Sequence, residues 1–394
     1  MKVTQVASLV NETTLELIGI ENVVNEDLSN VVDAGTEIFN NTSYDHFVKS
    51  LVDHIGRVIF VDRKYTGNTL ALMRDSWEYG AVLEKISAGL PTATENESWT
   101  LENGTSYDQN IFTKPDVSAK FFDKRITFEI PLSIADKQVK SAFSSATQLN
   151  AFVSMLWGMV DKSMACKMES LASRTVNSFI GSTIAHEFPS VSDNNYSSST
   201  GVKAINLLKL YNDQFGLSGE TALTKDNCLF SAEFIRYATL TIDKTLSRMR
   251  RMSTLFNIGG MPRFTPADKQ HLILLSDFKA ASDVYLQSDT FNDQYTELPN
   301  ATEVPYWQGS GTGFAIGSVG NVHVQIPIND TTKEINISHV LGVAFDHDAC
   351  MIACLDERTT SNYNAKAEFT NYWRKVDCGL IRDENENFVV FFVA

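Results

Sequence analysis

The chain reads as an α+β protein assembled from several packed units, and three observations point there. Residues 145–181 hold a helical period far longer than ordinary globular helices show. Two alternating stretches near residues 70–90 and 117–132 flank a polar middle, as a long two-stranded excursion does. The last residues, "NENFVVFFVA", form an apolar run that ends the chain where termini usually fray into polar residues. With 394 residues, 43% hydrophobic and 21% charged, the chain has the balance of a folded protein too long for one ordinary core.

Taken in order, residues 1–35 mix short apolar groups with acids and Asn and sustain no period, so they are expected to be an extended arm that needs a surface. "TEIFNNTSYDHFVKSLVDHIG" then places Phe47, Val48, Leu51, Val52 and Ile55 at helical spacing, with Gly56 as a stop. "RVIFVDRKY" follows as a strand. In the second alternating stretch, "VSAKFFDKRITFEIPL", the phase slips near Asp123, which predicts a bulge. An isolated hairpin is marginal in water, so the excursion must rest on something.

The helix signal comes next. Leu149, Phe152, Val153, Leu156, Met159, Val160, Met164, Met168, Leu171, Val176, Phe179 and Ile180 form one stripe. Ser145 and Gln148 fit a capping box and Gly181 fits the stop, which predicts a rod of about 34 residues and roughly 50 Å. "PSVSDNNYSSSTG" is a polar crossing. Helical patterns ("VKAINLLKLYNDQFG", "SAEFIRYATLTIDKTLSRMRRMSTLFN"), a strand with a helix behind it ("HLILLSDFKAASDVYL") and a Gly-rich stretch predict a compact α+β domain. From His339 the segments "VLGVAFD", "CMIACLD", "YWRKVDCGLI" and "FVVFFV" are largely strand-like. The polar "RDENEN" predicts an antiparallel hairpin joining the last two.

Charge narrows the function. A net charge of −15 argues against a dedicated nucleic-acid reader, because phosphate binding depends on Lys and Arg. The acids crowd the first segment, from Glu12 to Asp53, whereas Arg236, Lys244, Arg248, Arg250 and Arg251 form a basic group. Opposite blocks on one chain can steer copies together, although two solvated faces explain them equally. No run reaches the ~18 to 20 apolar residues needed to span a bilayer, and Asn11 and Glu12 interrupt any signal core, so no membrane is expected and a cytoplasmic product is. Five scattered cysteines predict reduced thiols.

No catalytic constellation stands out. "GSGTG" at 309–313 lacks the Lys-Ser/Thr of a phosphate loop and reads as a loop. Asp346, His347, Asp348, Cys350 and Cys354 offer metal-ligating atoms within one short stretch. Aspartates capping a short helix over inward-packed cysteines explain the same residues. The remaining histidines and carboxylates select no nucleophile or acid/base pair. No catalytic, cofactor-binding or metal residue is assigned, and no cofactor is expected.

The order of parts resembles the major capsid proteins of tailed bacteriophages, with their Hong Kong 97-type fold, and in layout those of small short-tailed phages. The likeness is carried by "DHFVKSLVDHIG", by "DKQVKSAFSSATQLNAFVSMLWGMVDKSM" and most of all by the closing segment from "GVAFDHDAC" to "ENFVVF". The resemblance implies an N-terminal arm (1–35), a first part of a peripheral domain (36–61) and an extended loop (62–132). It further implies a peripheral domain with a spine helix (133–189), an axial domain (190–340) and closing strands of the peripheral domain (341–394). It implies a non-enzymatic structural role: hexamers and pentamers of the chain in an icosahedral virion capsid around double-stranded DNA, assembled in the bacterial host cytoplasm.

The expected partners are further copies of the chain, a separate scaffolding protein, a portal protein, the packaged DNA by proximity, and decoration or head-fibre proteins. Trp77, Trp99, Phe121, Phe122, Arg248, Arg250 and Arg251 are the residues expected to touch neighbouring subunits. An encapsulin-like compartment, and an enzyme using the Asp346–Cys354 cluster, remain the alternatives.

Overall fold

The computed structural model describes residues 10–11, 14–16, 19, 24–25, 30, 64–70, 72–74, 82–135, 146–287, 301–307, 316–328 and 331–394. The predicted helix at 47–55, the strand at 57–65, Ser145 and the Gly-rich 309–313 lie outside these residues or nearly so. In chain order the elements are β1 (Met73–Arg74), β2 (Leu83–Ala88), β3 (Val117–Phe122), β4 (Arg125–Ala135), α1 (Ala146–Glu187), β5 (Ala204–Asn206), α2 (Leu207–Phe215) and α3 (Ala232–Met249). They continue with β6 (Gln270–Leu275), α4 (Ser276–Gln287), β7 (Ala301–Val304), α5 (Ile316–Val319), β8 (Val322–Ile328), β9 (Thr331–Ile337) and β10 (Val340–Asp346). The last three are β11 (Cys350–Asn364), β12 (Phe369–Arg382) and β13 (Phe388–Phe392).

Two compact units emerge from the backbone. The first comprises residues 1–66, 129–165 and 358–375; the second comprises 67–128, 166–357 and 376–394. In the first, polar and aromatic pairs join the strands and helix: Ser133 donates to Asn371 at 2.5 Å, Lys375 meets Glu129 at 3.5 Å and Trp157 packs edge-on against Tyr372. Near the chain start, Asn11 exchanges two hydrogen bonds with the backbone of Val24, which is buried.

The second unit is organised around a five-stranded mixed sheet in the order β5-β13-β10-β6-β7. The terminal strand β13 runs antiparallel to β10 and parallel to β5, so it is an interior strand. Its side chains alternate between two layers. Val389 and Phe391, with Val393 just beyond, join a core with Phe234, Ile235, Ala238, Ile242 and Leu246 of α3 and Phe278 of α4. On the opposite side Phe388 stacks on Phe179 of α1 at 4.0 Å between ring centroids, and Phe392 meets Phe188 edge-on. Burial on both faces explains why the run is continuously apolar and does not alternate. Each buried phenyl contributes roughly 2–3 kcal/mol. Asn206 fastens the end: it caps α2, and its side-chain amide exchanges hydrogen bonds with the backbone of Ala394.

The expected hairpin between "CGLI" and "FVVFFV" does not form. β12 belongs to a separate sheet, ordered β1-β11-β12-β4, and both edges of β13 are taken by β5 and β10. The closing strand therefore completes the sheet of segment 204–346 and is no partner of β12. The expected bulge near Asp123 is likewise a change of sheet. Asp123 and Lys124 link β3, paired with β2, to β4, which pairs with β12.

The long helix exceeds its predicted length. It runs 42 residues, about 63 Å, and passes through Gly181. Glycine stands there for approach: a Cβ on Gly181 would lie 2.2 Å from Val324 Cγ2 of β8. Residues 179–185 are buried all round, between β13 on one side and the β8–β9 hairpin on another. Pro189 is what ends the helix, since a residue before proline avoids helical backbone and Phe188 is that residue. Lys333 donates to the carbonyls of Phe188 and Pro189 there, both at 3.4 Å, a favourable place for a cation. In the sheet, Gly342 follows the same logic: a Cβ would sit 2.6 Å from the carbonyl oxygen of Ile273.

Two outcomes follow from this packing. Gly181→Ala should destabilise the chain by about 1–2 kcal/mol, seen as a lower thermal midpoint, although helix propensity alone favours the substitution by about 1 kcal/mol. Deleting residues 388–394 should abolish both soluble monomer and assembly, because it removes an interior strand and one wall of two cores; recovery of normal particles from this truncation contradicts the packing described.

Candidate assembly surface

The β2–β3 ribbon is the element that leaves the body of its unit. Its register pairs Leu83 with Phe122, Lys85 with Lys120 and Ser87 with Ser118 on one face, and Glu84 with Phe121, Ile86 with Ala119 and Ala88 with Val117 on the other. The first face rests on the protein. Leu83 and Phe122 pack with Met351, Ala353, Leu355 and Ile381 as a satellite core.

Further along this face, the directly opposed lysines would repel each other in an isolated ribbon. Asp383 resolves the conflict. Its carboxylate accepts from Lys85 at 2.7 Å and pairs with Lys120 at 3.3 Å, while Glu386 accepts from the same Lys85 at 2.7 Å and lies 3.3 Å from Arg263. Asp383 is almost wholly buried and the two lysines about a third exposed. The clasp comes from "RDENEN", the segment whose sequence suggests a hairpin turn. Arg382 and Glu384 of that segment extend it onto α1, bonding Ser178 at 2.7 Å and Ser182 at 2.9 Å.

The electrostatics agree with the geometry. Burial works against the Asp383 carboxylate, but hydrogen bonding and charge from Lys85, the Asn385 N–H and Lys120 outweigh it and hold the carboxyl below its ordinary 3.8. Burial also works against the Lys85 ammonium, and the hydrogen bonds to Asp383 and Glu386 outweigh it and raise the group above 10.5.

The second face and the tip have no such cover among the described residues. Ile86 is 65% exposed, Phe121 63% and Val117 56%. Beyond the neck, closed by a bond from Gly89 N–H to the Asp116 carbonyl at 2.7 Å, Trp99 is 95% exposed, Phe112 85% and Ile111 74%. An apolar face and tip of this kind on a rigidly rooted ribbon is a candidate docking element.

Of the residues expected at subunit contacts, Trp99 and Phe121 stand on this surface. Phe122 does not: it is 8% exposed and anchors the ribbon root, because the period of two turns it opposite to Phe121. Trp77 lies outside the described residues. Arg248, Arg250 and Arg251 are exposed at the C-terminal end of α3, remote in sequence from the ribbon. The Asp346–Cys354 cluster is a tight turn and strand, with no short helix. Asp346 accepts from the Asp348 N–H at 2.8 Å, and His347 pairs with His271 at 2.7 Å. Among the described residues no three His, Cys, Asp or Glu side chains are arranged to hold a metal ion. Burial raises Cys228 and Cys378 to about 12, so both stay protonated and pack as small apolar groups. Among the described residues no helix is long and apolar enough to cross a membrane.

What sequence reasoning missed is the clasp. Lys85 and Lys120 share the phase of Leu83 and Phe122, a cation at a core-facing position that demands a buried acid, and that mismatch was the available signal.

The family model of the Phi29-like phage major capsid protein matches residues 6–392. The chain belongs to that family. It is a shell-forming capsid protein, a component of the phage virion, with the Hong Kong 97-type fold. The fold is shared with two solved structures. One is the "Capsid structure of Staphylococcus phage Andhra", at TM-score 0.54 and 10% identity, covering 86% of this chain and 87% of that one. The other is the "Structure of head fiber and inner core protein gp22 of native bacteriophage P68", at TM-score 0.53 and 8% identity, covering 86% and 88%. No curated protein matches the sequence.

The clasp of this capsid protein has a defined pH range. Because the folded value for Asp383 is depressed, its contribution is complete above about pH 4 and is lost as pH falls through the lower folded value; Lys85, raised, contributes until pH passes above about 10.5. Asp383→Ala should weaken the ribbon root by about 1–3 kcal/mol. Hydrogen exchange in residues 83–88 and 117–122 should then rise about tenfold or more, with exchange in β10 and β13 unchanged, and acid strong enough to protonate Asp383 should reproduce the effect in the unaltered chain.

Proposed function

We propose that this capsid protein builds an icosahedral shell of hexamers and pentamers around the double-stranded DNA genome of a tailed phage. Assembly proceeds in the bacterial host cytoplasm with a separate scaffolding protein and a portal protein, and decoration or head-fibre proteins are candidate later partners. Its role is structural, with no catalytic step. Residues 1–35 serve as the arm, 62–132 as the extended loop, and 133–189 with 341–394 as the peripheral domain around an axial domain at 190–340. β10 and β13 also supply interior strands to the axial sheet. Trp99 and Phe121 are the contact residues we retain on the loop, with Arg248, Arg250 and Arg251 on the axial side; Phe122 belongs to the subunit's own core.

The observation that carries this reading is the ribbon: one face clasped to the body, the other apolar and open, and an exposed apolar tip that nothing among the described residues covers. A single copy leaves that surface in water, and repeated docking onto neighbours removes it. Many modest contacts then add up to a closed container.

The test is expression of the full chain with and without a candidate scaffolding protein, followed by sedimentation and electron microscopy. Megadalton icosahedral particles are expected, and nuclease-protected DNA in particles from infected cells distinguishes a genome container from an encapsulin-like compartment. The double substitution Trp99→Glu with Phe121→Glu should leave the circular dichroism spectrum unchanged while abolishing particles; particles formed normally by this variant count against the loop as the contact element.

A further inference from the structure

Three sulfur atoms meet behind the ribbon root, on the face of the β11–β12 pair that turns away from the ribbon. Met351, Ala353 and Leu355 of β11 and Ile381 of β12 face the satellite core with Leu83 and Phe122. Because successive side chains of a strand alternate, Cys354 and Cys378 point to the opposite face, where Cys378 Sγ lies 3.6 Å from Met168 Sδ of α1. The two thiols share a hydrogen bond. β11 and β12 are neighbours in their sheet, and adjacent strands stand about 4.8 Å apart, so side-chain rotation carries two such sulfurs toward the ~2.05 Å of a disulfide.

The remaining thiols are placed differently. Cys166 is exposed on α1, Cys228 is buried in the α3/α4 core, and Cys350 stands four positions, about 13 Å, from Cys354 along β11. Within the pair, Cys354 is half-buried and within reach of a small oxidant, whereas Cys378 is fully buried. Burial pushes the Cys378 thiol up to about 12, and Cys354 and nearby acids add to it. Cys354 is therefore the sulfur that attacks first and Cys378 the one that resolves.

We propose that Cys354 and Cys378 form a latent disulfide, open while the chain is in the reducing host cytoplasm and closed once the virion reaches an oxidising medium. The timing rests on the cytoplasmic assembly proposed above; the pairing does not. The oxidant is a small-molecule disulfide. Cys354 gives up its proton and its thiolate attacks that disulfide, forming a mixed disulfide and releasing one small thiolate. Cys378 then gives up its proton and bonds to Cys354 Sγ, and the second small thiolate departs. Two electrons pass from the pair to the oxidant, and the two protons end on the two released thiols. The bond closes a loop of about 25 residues and ties β11 to β12 beneath Leu83 and Phe122, so the platform of the ribbon root becomes covalently held.

The experiment uses particles of the full chain, purified under a phosphine reductant, freed of it and exposed to glutathione disulfide in mild alkali. Free thiols are alkylated in denaturant and the unreduced digest is read by mass spectrometry. A peptide pair joined through Cys354 and Cys378, two hydrogens lighter than its reduced form, is expected. Hydrogen exchange in residues 350–356 and 376–382 should fall about tenfold on oxidation and return with the phosphine; particles of the Cys354→Ser variant should show neither change. Both thiols recovered alkylated, a lasting glutathione adduct on Cys354, or a bond from either sulfur to another cysteine or another copy overturns the inference and leaves the shell reading intact. A chain that forms the bond but no particles supports the pairing and overturns the shell reading.

Discussion

The structure depends on the two-sided burial of its last strand. β13 lies inside the mixed sheet, hydrogen-bonded to β10 and β5, and divides its side chains between the α3/α4 core and the rings of Phe179 and Phe188. Neither core closes without it. The constraint reaches well beyond the strand. It obliges α1 to be buried all round near its C-terminal end, and Gly181 admits the β8–β9 hairpin to the side that β13 does not use. Asn206 must also hold the chain end.

The short polar segment that delivers β13 to its place also anchors the ribbon. Asp383 and Glu386 lie between the end of β12 and the start of β13, so packing of the terminal strand positions the carboxylates that Lys85 and Lys120 require. Core and ribbon are thereby coupled through five residues. A ribbon held by one face presents the other at a fixed angle, as the proposed repeated contacts require. The arrangement also explains why acids that look like ordinary turn residues are buried: they are the counter-charges of a cross-strand lysine pair.

Much of the fold was legible because it follows local periodicity. The rod from residue 146, the alternation along the ribbon and the buried character of Phe388–Phe392 are readable from spacing alone, and so are α2, α3 and the β6–α4 pair. Pairing was not. A strand buried on both faces has no side-chain alternation to reveal its neighbours, so sequence proximity suggested β12 where the sheet supplies β5 and β10. The phase slip at Asp123 was visible, but spacing does not separate a bulge from a passage between sheets. Gly181 resembled a helix stop because glycine serves both at helix ends and where another chain comes close.

For the docking surface, sequence placed Trp99 and Phe121 in the loop but did not separate Phe121 from Phe122, whose opposite fates depend on which face of the ribbon meets the satellite core. By itself the sequence determined the class of protein, the lengths and order of its main elements, and the excess of apolar surface in an exposed loop, because these are properties of composition and near-neighbour spacing. Only the tertiary structure decided which strands pair and which lysines are clasped. Those depend on groups hundreds of residues apart, such as Lys85 and Asp383, whose attraction exists only once the chain has folded around them.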